Sequence, residues 1–219
     1  MHLIAVSSFV RGSLVAEGFD PRQITVRPNL VWLGQREISR SPKVDRQILF
    51  VGRPTEDKGF YLLLAALERL GAKAPRVTVI GDPTTEARRA CREKSLAVTF
   101  LGLQDHERVA SLIAGASAVV VPSVWAEPFG RVVVESLAVG TPVISSDAGG
   151  LSEFAGLSPC VVTVPAGEVE PLATALSEIS APSEMLRAAC RQRYIERLSP
   201  EIWLQGTMDA INAAIRGAI

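Results

Sequence analysis

Two glutamates, Glu127 and Glu135, stand eight positions apart in the stretch AEPFGRVVVESLAVGTPVISSDAGG, residues 126–150. Between them lie a Pro128-Phe129-Gly130 turn and an apolar run, Val132 to Val134 and then Leu137 to Val139. A helix that apolar is buried on most faces, and a carboxylate inside it must meet a specific partner or carry a large desolvation cost. A helix opening at Gly130 presents unpaired N–H groups and the positive end of its dipole, a setting for a phosphate. Glu135 then lies roughly 7 Å farther along, at about 1.5 Å per residue. That is within reach of a ribose whose diphosphate rests on the helix end. Glu127, ahead of the turn, faces the other side of that diphosphate, where a sugar would be. The plainer alternatives are a solvated loop residue for Glu127 and a core carboxylate paired with Arg or Lys for Glu135. Turn, helix and both acids fitting one ligand favour the first reading.

A second constellation is basic. The segment Gln47–Val51 runs into Gly52-Arg53-Pro54-Thr55-Glu56-Asp57-Lys58-Gly59. Arg offers a rigid fork and Lys a compact charge, so Arg53 and Lys58 could hold a diphosphate from two sides. Alternatively, Arg53 pairs with Glu56 or Asp57, and Lys58 decorates a helix start. Lysine near a helix N-terminus opposes the dipole, which weighs against that alternative.

The elements that must position these groups alternate along the chain. Strands are expected at Ile24–Arg27, Gln47–Val51, Arg76–Ile80, Val98–Leu101, Ala118–Val121, Pro142–Ser145 and Val161–Val164. Helices are expected near Gly59–Leu70, Thr84–Glu93, Glu107–Gly115, Gly130–Val139 and Glu168–Ser180, with two more after Pro182. Strands apolar on both faces alternating with helices indicate an α/β fold, a doubly wound parallel sheet that binds ligands at its carboxyl ends. Gly52, Gly81 and Gly102 each follow a strand, where a turn or a close ligand favours a missing side chain. Residues from Met1 to about Trp32 read as a strand–helix–strand fragment too small to fold alone, and Leu33–Arg46 as a linker. The last helix carries Ile202, Trp203, Met208, Ile211 and Ile215 at helical spacing, as core or interface packing.

Of the 219 residues 47% are hydrophobic and 21% charged, with 23 Lys plus Arg against 23 Asp plus Glu. This balance gives no basic footprint for nucleic acid and no polybasic membrane anchor. Cys91, Cys160 and Cys190 have no metal-like spacing and an odd count, which points to a reducing cytoplasm rather than a disulfide framework. No signal peptide or membrane helix is read. His106, after Asp105 at a helix start, reads as a capping or surface residue.

The strings RPN (Arg27–Asn29), ILFVGRPTEDKG (Ile48–Gly59) and VVVPSVWAEPFGRVVVESLAVGTPVISSDAGGLSE (Val119–Glu153) resemble, in order and spacing, those of the retaining glycosyltransferases of sequence family 4. The similarity extends over essentially the whole chain. It implies the GT-B form, with this chain as its C-terminal, Rossmann-like half and a remnant of the N-terminal domain. The implied division is 1–40 for the remnant and linker, 41–199 for the nucleotide-sugar domain, and 200–219 for a C-terminal helix that would pack on the missing domain. By resemblance, Arg53 and Lys58 bind the donor diphosphate, Glu135 the ribose, and Glu127 the transferred sugar. Gly52, Phe129, Gly130, Arg131 and Val132 then meet sugar and phosphates, while Gly102 and Leu103 lie near the nucleobase. No metal or other cofactor is implied, because the Arg–Lys pair and the helix dipole would stabilise the leaving diphosphate.

The chain departs from the family in three places. The acceptor-binding half is present only as its last strand–helix–strand. The glycine-rich turn after GGLSE is altered to AGLSPCVV, and Arg131 stands where an apolar residue is common. The implied function is the donor-binding half of a hexosyl-type transferase, inactive without an acceptor domain or subunit in trans. Self-association is expected through exposed apolar surface, including some of Trp32, Trp203 and Ile211. UDP-, GDP- and ADP-linked donors are equally open. The alternatives are a non-catalytic nucleotide-sugar sensor or scaffold, and an epimerase or hydrolase on the same fold.

Overall fold

A computed structural model describes residues 2–31 and 46–216. Of the expected linker Leu33–Arg46, residues 33–45 lie outside the described residues, as do the 40/41 boundary and Trp32. The first strand β1 (Leu3–Ala5), helix α1 (Ser8–Ala16) and strand β2 (Ile24–Val26) form a small unit with the two strands parallel, Leu3 opposite Ile24 and Ala5 opposite Val26. A six-stranded sheet follows, built from β3 (Gln47–Val51), β4 (Arg76–Ile80), β5 (Val98–Gly102), β6 (Ala118–Val121), β7 (Val143–Ser146) and β8 (Val161–Val164). The order across it is β5-β4-β3-β6-β7-β8, every adjacent pair parallel. The chain therefore runs outward to one edge, returns to the middle and runs outward to the other. That doubly wound order leaves a crevice between β3 and β6, beyond their carboxyl ends.

Alternation along the strands divides the core in two. Ile48 and Phe50 of β3 and Ala118 and Val120 of β6 pack with helices α2 (Phe60–Leu70), α3 (Thr85–Glu93) and α6 (Val169–Ser177). Leu49 and Val119 face the other way, onto α4 (His106–Gly115) and the last turn of α5 (Arg131–Val139). The rest of α5 packs with Val143, Val161 and Cys190 of α7 (Glu184–Leu198). With both faces covered, central strands tolerate no polar alternation, hence the run Ala-Val-Val-Val in β6.

Helix openings differ in a way that matters for the crevice. Thr84, Asp105 and Ser183 cap α3, α4 and α7 by accepting from Ala87, Arg108 and Leu186 N–H groups. The cap expected of His106 is thus supplied by Asp105, whose carboxylate reaches the third residue ahead; His106 is exposed on the first turn. Helices α2 and α5 open instead on glycines, Gly59 and Gly130, with no side-chain cap.

Arg187 of α7 is 1% exposed and crosses under the sheet's amino end. Its guanidinium donates to the carbonyls of Ala114 (3.1 Å), Ala116 (3.1 Å) and Gly140 (3.3 Å) and to Thr141 Oγ1 (3.3 Å). These acceptors sit at the carboxyl ends of α4 and α5, where the helix dipoles favour a cation. Burial, reinforced by Cys160 alongside, pushes the Cys190 thiol on the same helix up to about 12, so it stays protonated and unreactive.

The amino-terminal unit is tied down by hydrogen bonds to distant segments. Ser7 Oγ donates to Pro128 O (2.5 Å), Phe9 N to Glu153 Oε1 (3.0 Å), and Tyr194 OH to Val31 O (2.9 Å). Arg27 donates to Ile202 O and Trp203 O of the last helix α8 (Pro200–Arg216), and Trp203 Nε1 donates to Pro28 O (2.8 Å). Of the two readings of α8, core or interface, the core one does not hold, and the expected exposed apolar surface is present at Ile211. Ile202, Leu204, Met208, Ile211 and Ile215 are exposed, Ile211 at 44%, and Trp203 is half-buried. Ile4, Phe9 and Phe19 of the first unit are exposed as well. Among the described residues no helix is long and apolar enough to cross a membrane.

Arg187→Met removes donors from four buried acceptors, each costing about 1–3 kcal/mol when left unsatisfied. Urea denaturation is expected to show a loss of about 3 kcal/mol or more. An unchanged midpoint would mean that water replaces the guanidinium.

Candidate functional site

The crevice at the reversal of strand order is a cavity of about 360 Å³. Its walls come from the carboxyl ends of β3 and β6, from Gly52 and Lys58 after β3, and from Pro122, Ser123 and residues 127–132 after β6, with Asn29 contributed by the amino-terminal unit. The two loops are clamped together at Asp57. Its carbonyl accepts from Val124 N (3.0 Å), Trp125 N (3.2 Å) and Ser123 Oγ (3.0 Å). Gly59 lies against Pro122, so a β-carbon there would fall on the Pro122 carbonyl oxygen; its φ of +70° also suits glycine. Gly81, read from the sequence as serving a turn or a close ligand, is the second position of this kind. A β-carbon there would fall on Gly52 O, so the neighbouring strand end requires the missing side chain.

The clamp brings the basic and acidic motifs together. Lys58 Nζ donates to Glu127 Oε1 at 2.6 Å. Ser123 Oγ shares its proton between that oxygen (2.9 Å) and Asp57 O. Ser123 is held in turn by Ser146 at the end of β7, whose hydroxyl donates to Ser123 O (2.7 Å). Gly150 N donates to Glu127 O (2.7 Å), fixing the backbone beneath the carboxylate. Both plain alternatives are therefore replaced: Glu127 is not a solvated loop residue, and Lys58 does not merely decorate α2.

Phe129, Gly130, Arg131 and Val132 line the same cavity where α5 begins. Phe129 is buried against Phe154, their ring centroids 5.8 Å apart, which anchors the turn that aims the helix. The opening N–H groups of α5 are met by no side-chain cap, and they present partial positive charge beside Lys58. Gly52 also lines the cavity.

Glu135 lies one turn inside α5, 8% exposed, and does not line the cavity. Its ion-pair partner is Arg131 on its own helix, with Nη2 to Oε1 at 3.7 Å, rather than an Arg or Lys from the core. Burial pushes its carboxyl up from the ordinary range; Arg131 and then His106 partly oppose that. Arg53, Gly102 and Leu103 are not brought to the cavity wall. Arg53 is exposed and forms no ion pair with a described residue. The Thr55 hydroxyl, with Lys58 and then Arg53 as smaller contributors, holds the Asp57 carboxyl below its usual range. Leu103 stands out into solvent beyond β5.

Sequence reasoning missed Ser123 and Asn29. Both sit in the motif strings, but their roles depend on contacts with segments 23 or more residues away, which composition does not carry. Among the described residues no group of three or more His, Cys, Asp or Glu side chains could share a metal ion. What the site offers chemically is a cation, a helix end for an anion, and a fixed carboxylate for hydroxyl donors.

Comparison with known proteins gives the family and the fold. A sequence model of the family "Glycosyl transferases group 1" matches residues 34–196. The glycogen synthase of Mycobacterium tuberculosis is 34% identical over 182 residues, covering 78% of this chain and 43% of the relative. An uncharacterized glycosyltransferase of Methanocaldococcus jannaschii, MJ1607, is 34% identical over 149 residues, 64% of this chain and 37% of the relative. Anabaena Alr3699/HepE, solved in complex with UDP, superposes with a TM-score of 0.81 at 20% identity, over 97% of this chain and 64% of that one. The same protein has also been solved with UDP-glucose, where the TM-score is 0.79. The chain belongs to the group 1 glycosyl transferases and has their GT-B type of α/β fold. It spans less than half the length of the two curated relatives.

The buried carboxyl makes a prediction about stability. A folded-state value raised above the unfolded one means that ionising Glu135 costs stability at neutral pH, and that the cost vanishes as pH falls below the ordinary glutamate range. Glu135→Gln is therefore expected to raise the melting temperature at pH 7.5 and to give little or no gain at pH 4. A gain equal at both pH values would show that ionisation is not the cause.

Proposed function

We propose that this member of the group 1 glycosyl transferases carries the donor site of a retaining transferase of sequence family 4, one that moves a hexosyl-type sugar from a nucleoside diphosphate. The observation that carries the reading is the Lys58–Glu127 pair set before the uncapped end of α5 in the cavity between β3 and β6. A diphosphate on the helix end would meet Lys58 and the N–H groups around Gly130 to Val132, with Arg53 swinging in from the exposed loop. Glu135 would take the ribose hydroxyls, and Gly102 and Leu103 would flank the base. Glu127 would orient the sugar by accepting from its hydroxyls.

Transfer would begin with departure of the diphosphate from the anomeric carbon, leaving an oxocarbenium-like sugar. The lysine, the arginine and the helix end would stabilise the charge gathering on the leaving group, without a metal ion. Attack by the acceptor hydroxyl on the same face would retain configuration. The UDP and UDP-glucose held by the Anabaena neighbour support a nucleotide-linked sugar as the ligand class. The division at 1–40, 41–199 and 200–219 fits this reading, with the exposed apolar faces of the first unit and α8 turned toward an acceptor domain. Transfer would then need an acceptor domain seated against those faces. Buried, unpaired thiols suit a cytoplasmic setting.

Titration calorimetry with UDP, GDP and ADP tests the donor site. One nucleotide is expected to bind saturably, with affinity at least tenfold weaker in Arg53→Ala and Glu135→Ala. Equal affinity in wild type and both variants would overturn the residue assignments. No binding of any of the three would overturn the donor reading for this chain.

A further inference from the structure

In the open cavity the ammonium of Lys58 already has an anion. Glu127 Oε1 lies 2.6 Å from it, with the two side chains 30% and 16% exposed. That carboxylate is held from several directions. Ser123, 1% exposed, donates to the same oxygen, Ser146 secures Ser123, and Gly150 N–H secures the Glu127 backbone. A phosphate arriving at Lys58 must share the cation with a carboxylate that is not free to swing away. Two anions on one cation weaken each other's hold.

Two related ligands meet this arrangement differently. A sugar-linked diphosphate brings hydroxyl donors for Glu127 while its phosphates take the remaining N–H groups of Lys58, which has three. A bare nucleoside diphosphate brings no donor for Glu127 and carries an additional ionised oxygen on its terminal phosphate. We infer that Glu127, fixed by Ser123, is a specificity element: it holds back the bare nucleoside diphosphate relative to the sugar-linked donor. The leaving group of the transfer is then expelled once its sugar is gone. The inference rests on the nucleotide-sugar reading above and assigns Ser123 a positioning role within it.

The test titrates UDP, UDP-glucose and inorganic pyrophosphate into wild type, Glu127→Gln and Ser123→Ala, with the GDP and ADP pairs alongside. Glu127→Gln is expected to bind the bare diphosphate and pyrophosphate several-fold tighter and the sugar-linked form about tenfold weaker. The preference for the sugar-linked form thus falls by more than tenfold, or more than about 1.4 kcal/mol. Ser123→Ala should move that preference the same way by a smaller factor, with an unchanged circular dichroism spectrum. A purely structural role would weaken every ligand together, and that result or an unmoved preference overturns the inference. If wild type binds no nucleotide yet pyrophosphate tightens in Glu127→Gln, the counter-charge stands and the nucleotide-sugar reading falls. If nucleotides bind but their preference is the same in all three proteins, the reverse holds. Absence of binding to every probe in wild type and Glu127→Gln overturns both.

Discussion

The carbonyl of Asp57 is where the two halves of the cavity are joined. Three donors from the segment after β6 converge on it, and Gly59 closes against Pro122 two residues later. Because β3 and β6 are neighbours in the sheet yet end 70 residues apart, at Val51 and Val121, the loops that follow them could not find one another by local forces alone. The parallel ladder brings their carboxyl ends side by side, and the clamp converts that proximity into a fixed spacing. Lys58 and Glu127 meet at 2.6 Å as a result, inside a wall neither segment could build alone.

The site is expensive in local stability, and the rest of the molecule offsets it. Two helix openings without side-chain caps, a carboxylate buried within α5 and an ion pair partly removed from water each weaken the fold by ordinary measures. Against them stand a sheet covered on both faces and the buried Arg187, which satisfies the far ends of α4 and α5. Helix α5 is therefore secured at its carboxyl end and left open at its amino end. That polarity suits a helix whose first turn is the working part.

The amino-terminal unit belongs to the same network. Ser7, buried, caps α1 through its acceptor lone pairs and spends its proton on Pro128 O, inside the turn that leads into α5. Asn29 reaches the cavity wall, and Val31 joins the cluster around Phe129 and Val133. A displacement of this unit would bear directly on the turn between Glu127 and Gly130. Its exposed apolar residues and those of α8 flank the same fragment, since Arg27 and Trp203 join the two. Any domain that covered that surface would be coupled mechanically to the turn at the cavity wall.

Much of this was legible in the chain. Strands such as Gln47–Val51, Arg76–Ile80 and Val161–Val164 lie where β-branched runs between turn residues put them, and α5 follows its apolar run to Gly140. Periodicity and turn chemistry act over a few residues, so a sequence displays them directly. The α/β class, the helix end at Gly130 and the burial of Glu135 follow from such local signals. Pairing is another matter. That Lys58 answers to Glu127, that Arg53 stays outside the cavity, that Gly81 serves a neighbouring strand, and that Ser123 spans both loops were decided by which strand ends the sheet set side by side. So was the exposure of α8, whose helical spacing of apolar residues is the same whether that face is covered or bare. Those contacts join residues tens to more than a hundred positions apart, and only tertiary packing specifies their distance.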